Sequence, residues 1–165
     1  MRMYLSATMA LFALVAICIA NVTAISDEPV LKAMQADNEV NETQAEQMVL
    51  KSWNSFVENF DYQGTILNET LSGNMTYPDA MVSTVALFVL NSQALAESES
   101  FDPGDKYADF HSYTMNAMSA FDVYLYNMAK LFETKNGKYS RTARDAFNIT
   151  MDYYTKGKDE AEFVF

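Results

Sequence analysis

From residue 102 to residue 132 apolar positions recur at helical spacing for longer than anywhere else in the chain. Tyr107, Phe110, Thr114, Ala117, Phe121, Tyr124, Met128 and Leu131 fall on one seam, and His111, Met118, Leu125 and Phe132 on the strip beside it. Asp109, Ser112, Asn116, Ser119, Lys130 and Glu133 occupy the opposite side, interrupted only by Val123 and Tyr126. Asp102 supplies a cap, Pro103 suits the first helical position and Asp105 complements the positive helix end. Lys130 and Lys135 meet the negative end, and Asn136-Gly137 supplies a left-handed stop. Such a helix runs about 45 Å at its usual rise. Its apolar face is too wide for one partner helix.

Three shorter signals surround it. Thr43 and Glu46 form a capping box, and Ala45, Met48, Val49, Trp53, Phe56, Val57 and Phe60 follow at helical spacing, while Glu46, Gln47, Lys51, Asn54 and Glu58 lie elsewhere. Trp53, the one tryptophan, reads as a core anchor. Between Asp61 and Tyr77 two glycines and two Asn-x-Thr triplets predict a long exposed connection, with at most a turn of helix at Ile66 to Leu71. Thr76 and Pro78 open the next helix, Ala80 to Glu97. Its middle, Val85 to Leu90, is apolar on all sides and should sit deep between its neighbours. Ser83, Thr84, Asn91, Ser92 and Gln93 leave its apolar run too short for a membrane crossing.

The last helix is predicted from Ser140 to Lys156, with Gly157 as its stop and 158–165 as a loose or lightly docked tail. Ala143, Ala146, Phe147, Thr150, Tyr153 and Tyr154 form its inner stripe; Arg141, Asp145, Asn148 and Asp152 face out. The short link before it forces an antiparallel hairpin with the long helix. The fold class is therefore all-α, an antiparallel bundle of four helices over residues 43–157.

Ahead of the bundle, Arg2 precedes an apolar run from Met3 to Ala20, then Asn-Val-Thr-Ala. This is the pattern of a signal peptide spanning residues 1–24, with cleavage after Val22-Thr23-Ala24 or at Cys18-Ile19-Ala20. Retained, the same run is near the length of an anchor helix, and the acidic remainder still faces out. Lipidation at Cys18 is a third route, disfavoured by the bulky Ile17 before it. Residues 25–42 read as a flexible tether.

Composition narrows the functions. Half of the 165 residues are hydrophobic and 13% are aromatic, which fits a packed domain. The formal charge is −11; without the leader, 10 basic face 22 acidic residues. Nucleic acid and anionic lipid are poor partners for such a surface. Cys18 is the only cysteine, so disulfides and cysteine chemistry are excluded from the mature chain.

No phosphate loop, H-E-x-x-H or G-x-S-x-G motif occurs, and no cofactor is implied. His111, the only histidine, lies on the apolar flank and reads first as a core residue bonded to a neighbour. With Met115 and Met118, four and seven residues on, it could instead offer an imidazole and two thioethers to a soft metal such as Cu(I). Asp102, Asp105 and Asp109 lack the ordered spacing of a calcium loop. The glycosylation triplets stand out more: Asn41, Asn68, Asn74 and Asn148, with Asn21 in the leader, precede x-Thr, where about two such triplets are expected by chance.

A leader, a mature chain free of cysteine, and an aromatic-rich hairpin that opens with Asp102-Pro103 and carries Tyr107, Phe110 and His111 resemble small uncharacterised exported helical domains of archaea and bacteria. The resemblance covers Phe101 to Lys158 and implies no activity. The sequence thus predicts an extracellular or cell-surface bundle acting by non-catalytic binding or structural association with a protein or cell-envelope component. It would touch the membrane only through an uncleaved leader. The alternative is an extracytoplasmic soft-metal protein built on His111 and Met115.

Overall fold

A computed structural model describes residues 42–165, with side chains from residue 44 onward. The signal segment 1–24, nearly all of the tether 25–42, the Asn41 triplet and the Thr43 side chain lie outside the described residues. Four helices follow one another: α1 (Glu42–Leu71), α2 (Tyr77–Glu99), α3 (Gly104–Thr134) and α4 (Gly137–Val164). No strand occurs among the described residues, so the all-α class holds.

Side-chain pairs fix the directions. Ser98 meets Ser52 while Thr84 meets Gln63, so α1 and α2 are antiparallel. Tyr77 packs on Phe132 and Phe101 on His111, so α2 and α3 are antiparallel too. Phe147 lies against Tyr124 and Phe165 against Phe110, which runs α4 back along α3. The result is an up-down-up-down bundle, with α3 packing against all three other helices and most extensively against α4.

The predicted face of α3 is the one that is buried. Tyr107, Phe110, Phe121 and Leu125 are at most 1% exposed, and Met118 is fully covered. Each such side chain contributes about 1.5–3 kcal/mol relative to exposure. The gap between α1 and α4 is bridged by rings: Trp53 stacks on Tyr154 with centroids 5.4 Å apart, and Phe60 stacks on Phe147 at 5.8 Å. Trp53 is thus the core anchor expected of it.

Several boundaries differ from the sequence reading. The exposed connection predicted for 61–77 shrinks to residues 72–76, because Gln63 and Ile66 continue the buried stripe of α1 for three further turns. A glycine inside a helix costs only about 1 kcal/mol, so Gly64 does not end it. At α3 the start shifts by one: Pro103 is the cap residue, and Asp102 Oδ1 accepts the Gly104 N–H at 2.9 Å. Its stop is Lys135, at φ 55°, in place of Asn136-Gly137; Asn136 instead caps α4 by accepting from the Lys138 N–H at 3.0 Å.

Gly157 is likewise no stop, and the tail 158–165 is not loose. The helix continues to Val164, and Phe165 stacks on Tyr107 with centroids 5.5 Å apart. Gly157 is a notch under the indole: a Cβ there would lie 2.7 Å from Trp53 Cζ3. At Gly64 nothing would meet it within 4 Å. Hence Gly157→Ala should destabilise the fold by about 1–3 kcal/mol through overpacking, and Gly64→Ala should stabilise it by about 0.5–1 kcal/mol. Urea unfolding followed by tryptophan fluorescence checks both; equal signs for the two variants would contradict the notch.

Candidate functional site

Two features of α2 concentrate what chemistry the bundle holds. The first is its inward seam. Thr84, Asn91 and Ser98, spaced by sevens, face the interior together with Leu87 and Ala80. These three polar residues are at most 1% exposed, and each is the centre of a small network.

At the first level the Thr84 hydroxyl donates to Gln63 Oε1 at 3.2 Å, beside Tyr124. Burial pushes the Tyr124 phenol up to about 12, against the opposing pull of the Gln63 side chain. At the second, Asn91 Nδ2 donates to the Met118 carbonyl and to Asp122 Oδ1, both at 2.8 Å, and Ser92 Oγ donates to Asp122 Oδ2 at 2.7 Å. Burial pushes the Asp122 carboxyl above the usual carboxylate range, and the two hydrogen bonds recover part of that shift.

At the third level Ser98 Oγ donates to Ser52 Oγ at 2.7 Å, and the Ser98 backbone hydrogen-bonds the His111 ring. Phe101 lies over that ring at 4.7 Å. Burial lowers the imidazole below its ordinary range, while the Ser98 backbone and the Asp102 charge raise it. Each level leaves one buried atom without a partner: Gln63 Nε2, Asn91 Oδ1 and His111 Nδ1.

The fold does not bring His111 and Asp122 together. His111 and Asp122 are eleven residues apart on α3, about 16 Å along its axis. His111 reaches the Ser98 backbone, whereas the Ser98 hydroxyl is directed to Ala94 O and Ser52. Asp102, Asp105 and Asp109 are exposed, and among the described residues no three His, Cys, Asp or Glu side chains converge as metal ligands. Met118 is buried and Met115 is half-buried on the stripe that carries His111. Asn68, Asn74 and Asn148 are all exposed. The Thr of the last triplet, Thr150, is fully buried and donates to Ala146 O at 3.0 Å.

The second feature is the outward side of α2, which corrects the expectation that its apolar middle lies deep. Only 22% of its most apolar window is buried. With the polar seam turned inward, Val82 at 46% and Leu90 at 53% face solvent, and Val85, Ala86 and Val89 are half-buried beside them. By length and composition alone α2 is apolar enough to cross a membrane, which the sequence reading excluded; its inner side is nonetheless tied into the bundle through Asn91 and Thr84. No charge occurs between Asp79 and Glu97. The register set by the Phe101–His111 and Tyr77–Phe132 pairs brings Val123 and Tyr126 of α3, 48% and 52% exposed, level with Val89 and Val85.

Sequence reasoning missed both features for one reason: it read Thr84, Asn91 and Ser92 as interruptions of an apolar run. The seven-residue spacing of Thr84, Asn91 and Ser98 carried the signal. No family model matches the chain, and neither a curated protein nor a solved structure matches it. The resemblance to exported helical hairpins therefore brings no residue roles to this site.

The two titratable groups give opposite pH signatures. His111, lowered in the fold, contributes stability above about pH 6.5 that is lost as pH falls. The Tm advantage of the native chain over His111→Gln should shrink on acidification from about pH 7 to about pH 5. Asp122, raised in the fold, contributes most below about pH 4 and less as pH rises through its folded value. Asp122→Asn keeps an acceptor for Asn91 and removes the desolvated charge, so its Tm should exceed that of the native chain by a few degrees at neutral pH and converge with it in acid. Calorimetry across that range checks both; differences independent of pH would contradict these environments.

Proposed function

We propose that this chain is an exported, acidic, non-catalytic helical bundle that works by associating with a protein or cell-envelope component through the outer side of α2. The observation that carries the reading is a charge-free apolar strip, bracketed by Asp79 and Glu97, on a chain of formal charge −11. Contiguous exposed apolar surface on a soluble domain marks interaction sites. The leader pattern with Arg2 and the Met3 to Ala20 run supports export, and exposure of Asn68, Asn74 and Asn148 supports glycosylation in a host that performs it. With Thr150 buried, the Asn148 triplet would accept a glycan before α4 folds. A non-catalytic role is supported by a neutral His111 bonded to backbone and separated from Asp122.

Two measurements test this. The intact mass of the exported protein reads leader removal, glycans and lipid at once; a mass lacking residues 1–24 and carrying glycan is expected, and an unmodified full-length chain recovered inside the cell would contradict export. Leu90→Glu should abolish co-purification of a specific envelope component, whereas Leu71→Glu, at an equally apolar exposed position on α1, should not. Equal retention by both would remove α2 as the binding face.

A second reading, a soft-metal site at His111 and Met115 with Met118 nearby, is favoured by one observation: His111 Nδ1 is buried without a partner while the Ser98 backbone holds the ring. Metal-bound imidazoles are oriented in this way through their other nitrogen. Competition titration with Cu(I) decides it. Saturable one-to-one binding lost in His111→Ala supports the site, and unchanged affinity in that variant removes it.

A further inference from the structure

We propose that the partner of the α2 strip is a second copy of this chain, docked antiparallel about a two-fold axis near Val89. The inference rests on the reading of α2 as the binding face and adds its occupant. Charge makes the first argument. With 22 acidic residues against 11 basic, two copies repel each other over most of their surface, and the face where they can approach is the one without charge. That face is the stretch between Asp79 and Glu97, about 25 Å long at the helical rise.

The second argument is pattern. Val82, Ala86, Val89, Gln93 and Ala96 follow one another at alternating spacings of four and three, a second heptad seam on the side opposite Thr84, Asn91 and Ser98. A helix with one such seam satisfied inside its bundle has the other available for a helix of the same kind. Antiparallel pairing about Val89 sets Val82 against Ala96 of the other copy, brings its Gln93 beside Ala86, and lets the two Val89 side chains meet at the axis. The copy's charged ends are also tolerable: each Asp79, which accepts a hydrogen bond from Thr76, would approach a Glu97 already bridged to Lys51 at 3.1 Å. Val123 and Tyr126 widen the surface on the α3 side.

One helix face per copy makes a small interface, so a weak dimer is expected, with a dissociation constant above about 1 μM. Its salt dependence is diagnostic. Because ions screen the net repulsion between acidic copies while the apolar contact persists, added NaCl should strengthen the dimer; an interface to a basic partner would weaken.

The test uses the protein as its host exports it, followed by sedimentation equilibrium at low and high NaCl. A monomer–dimer equilibrium tightened by salt and weakened at least tenfold by Val89→Glu, which sets two like charges at the axis, but not by Leu71→Glu, is the expected result. Since the mature chain holds no cysteine, Val89→Cys in a Cys18→Ser background should form an intermolecular disulfide on mild oxidation, and Asn54→Cys should not. A native chain that stays monomeric to millimolar concentration, or equal cross-linking at positions 89 and 54, would overturn the dimer. Binding of an envelope component that is still lost in Leu90→Glu would in that case leave the broader reading of α2 standing.

Discussion

The bundle depends on covering the apolar side of α3. A helix of 31 residues with fully buried side chains from Tyr107 to Phe132 cannot persist alone in water, because its face spans more of the circumference than a single neighbour can shield. Three helices are needed, and their lengths follow. α1 and α4 extend past their sequence-predicted ends because Ile66 at one end and Val164 with Phe165 at the other cover parts of α3 and its flanks that would otherwise meet solvent. With a single cysteine the chain can hold no internal disulfide, so this burial and the Trp53, Phe56, Phe60, Phe121 and Tyr154 ring cluster are the main source of stability.

The polar inner seam of α2 is the counterpoint. Thr84, Asn91 and Ser98 contribute less to stability than apolar residues of their size would, since a buried hydrogen bond nets only about 1 kcal/mol and three atoms stay unpaired. They fix register. Asn91 can meet both Met118 O and Asp122 in one alignment of α2 on α3 only, and Ser98 can meet Ser52 in one alignment on α1. A one-turn slip would leave every one of these groups buried and unbonded. The same choice turns the valines and leucines of α2 outward, so the rule that fixes the interior also produces the exposed strip.

Most of the fold was legible because periodicity reports burial directly: the α3 face, the Trp53 anchor, the Thr76 cap, the inner stripe of α4 and the four-helix count all follow from spacing. Errors came where a residue's usual role was overridden by its neighbours. Gly157 ends helices in general, but here its missing Cβ makes room for the Trp53 ring. Gly64 and the Asn68 triplet look like loop, yet Gln63 and Ile66 have partners on α2 and α3 that hold the backbone helical. Asp122 gave no signal in the sequence, because nothing in its own helix reveals that Asn91 and Ser92 await it on another. Long-range pairing of polar groups leaves little trace in a single sequence. Apolar spacing leaves a great deal.

The claim that α3 is the shielded spine is tested most directly by native-state hydrogen exchange. Amides from Phe110 to Phe132 should be the slowest in the chain, exchanging only through global unfolding, with α1 and α4 opening earlier from their ends. Should α3 exchange as fast as the exposed 72–76 connection, or open independently of its three neighbours, the account of the fold given above would be contradicted.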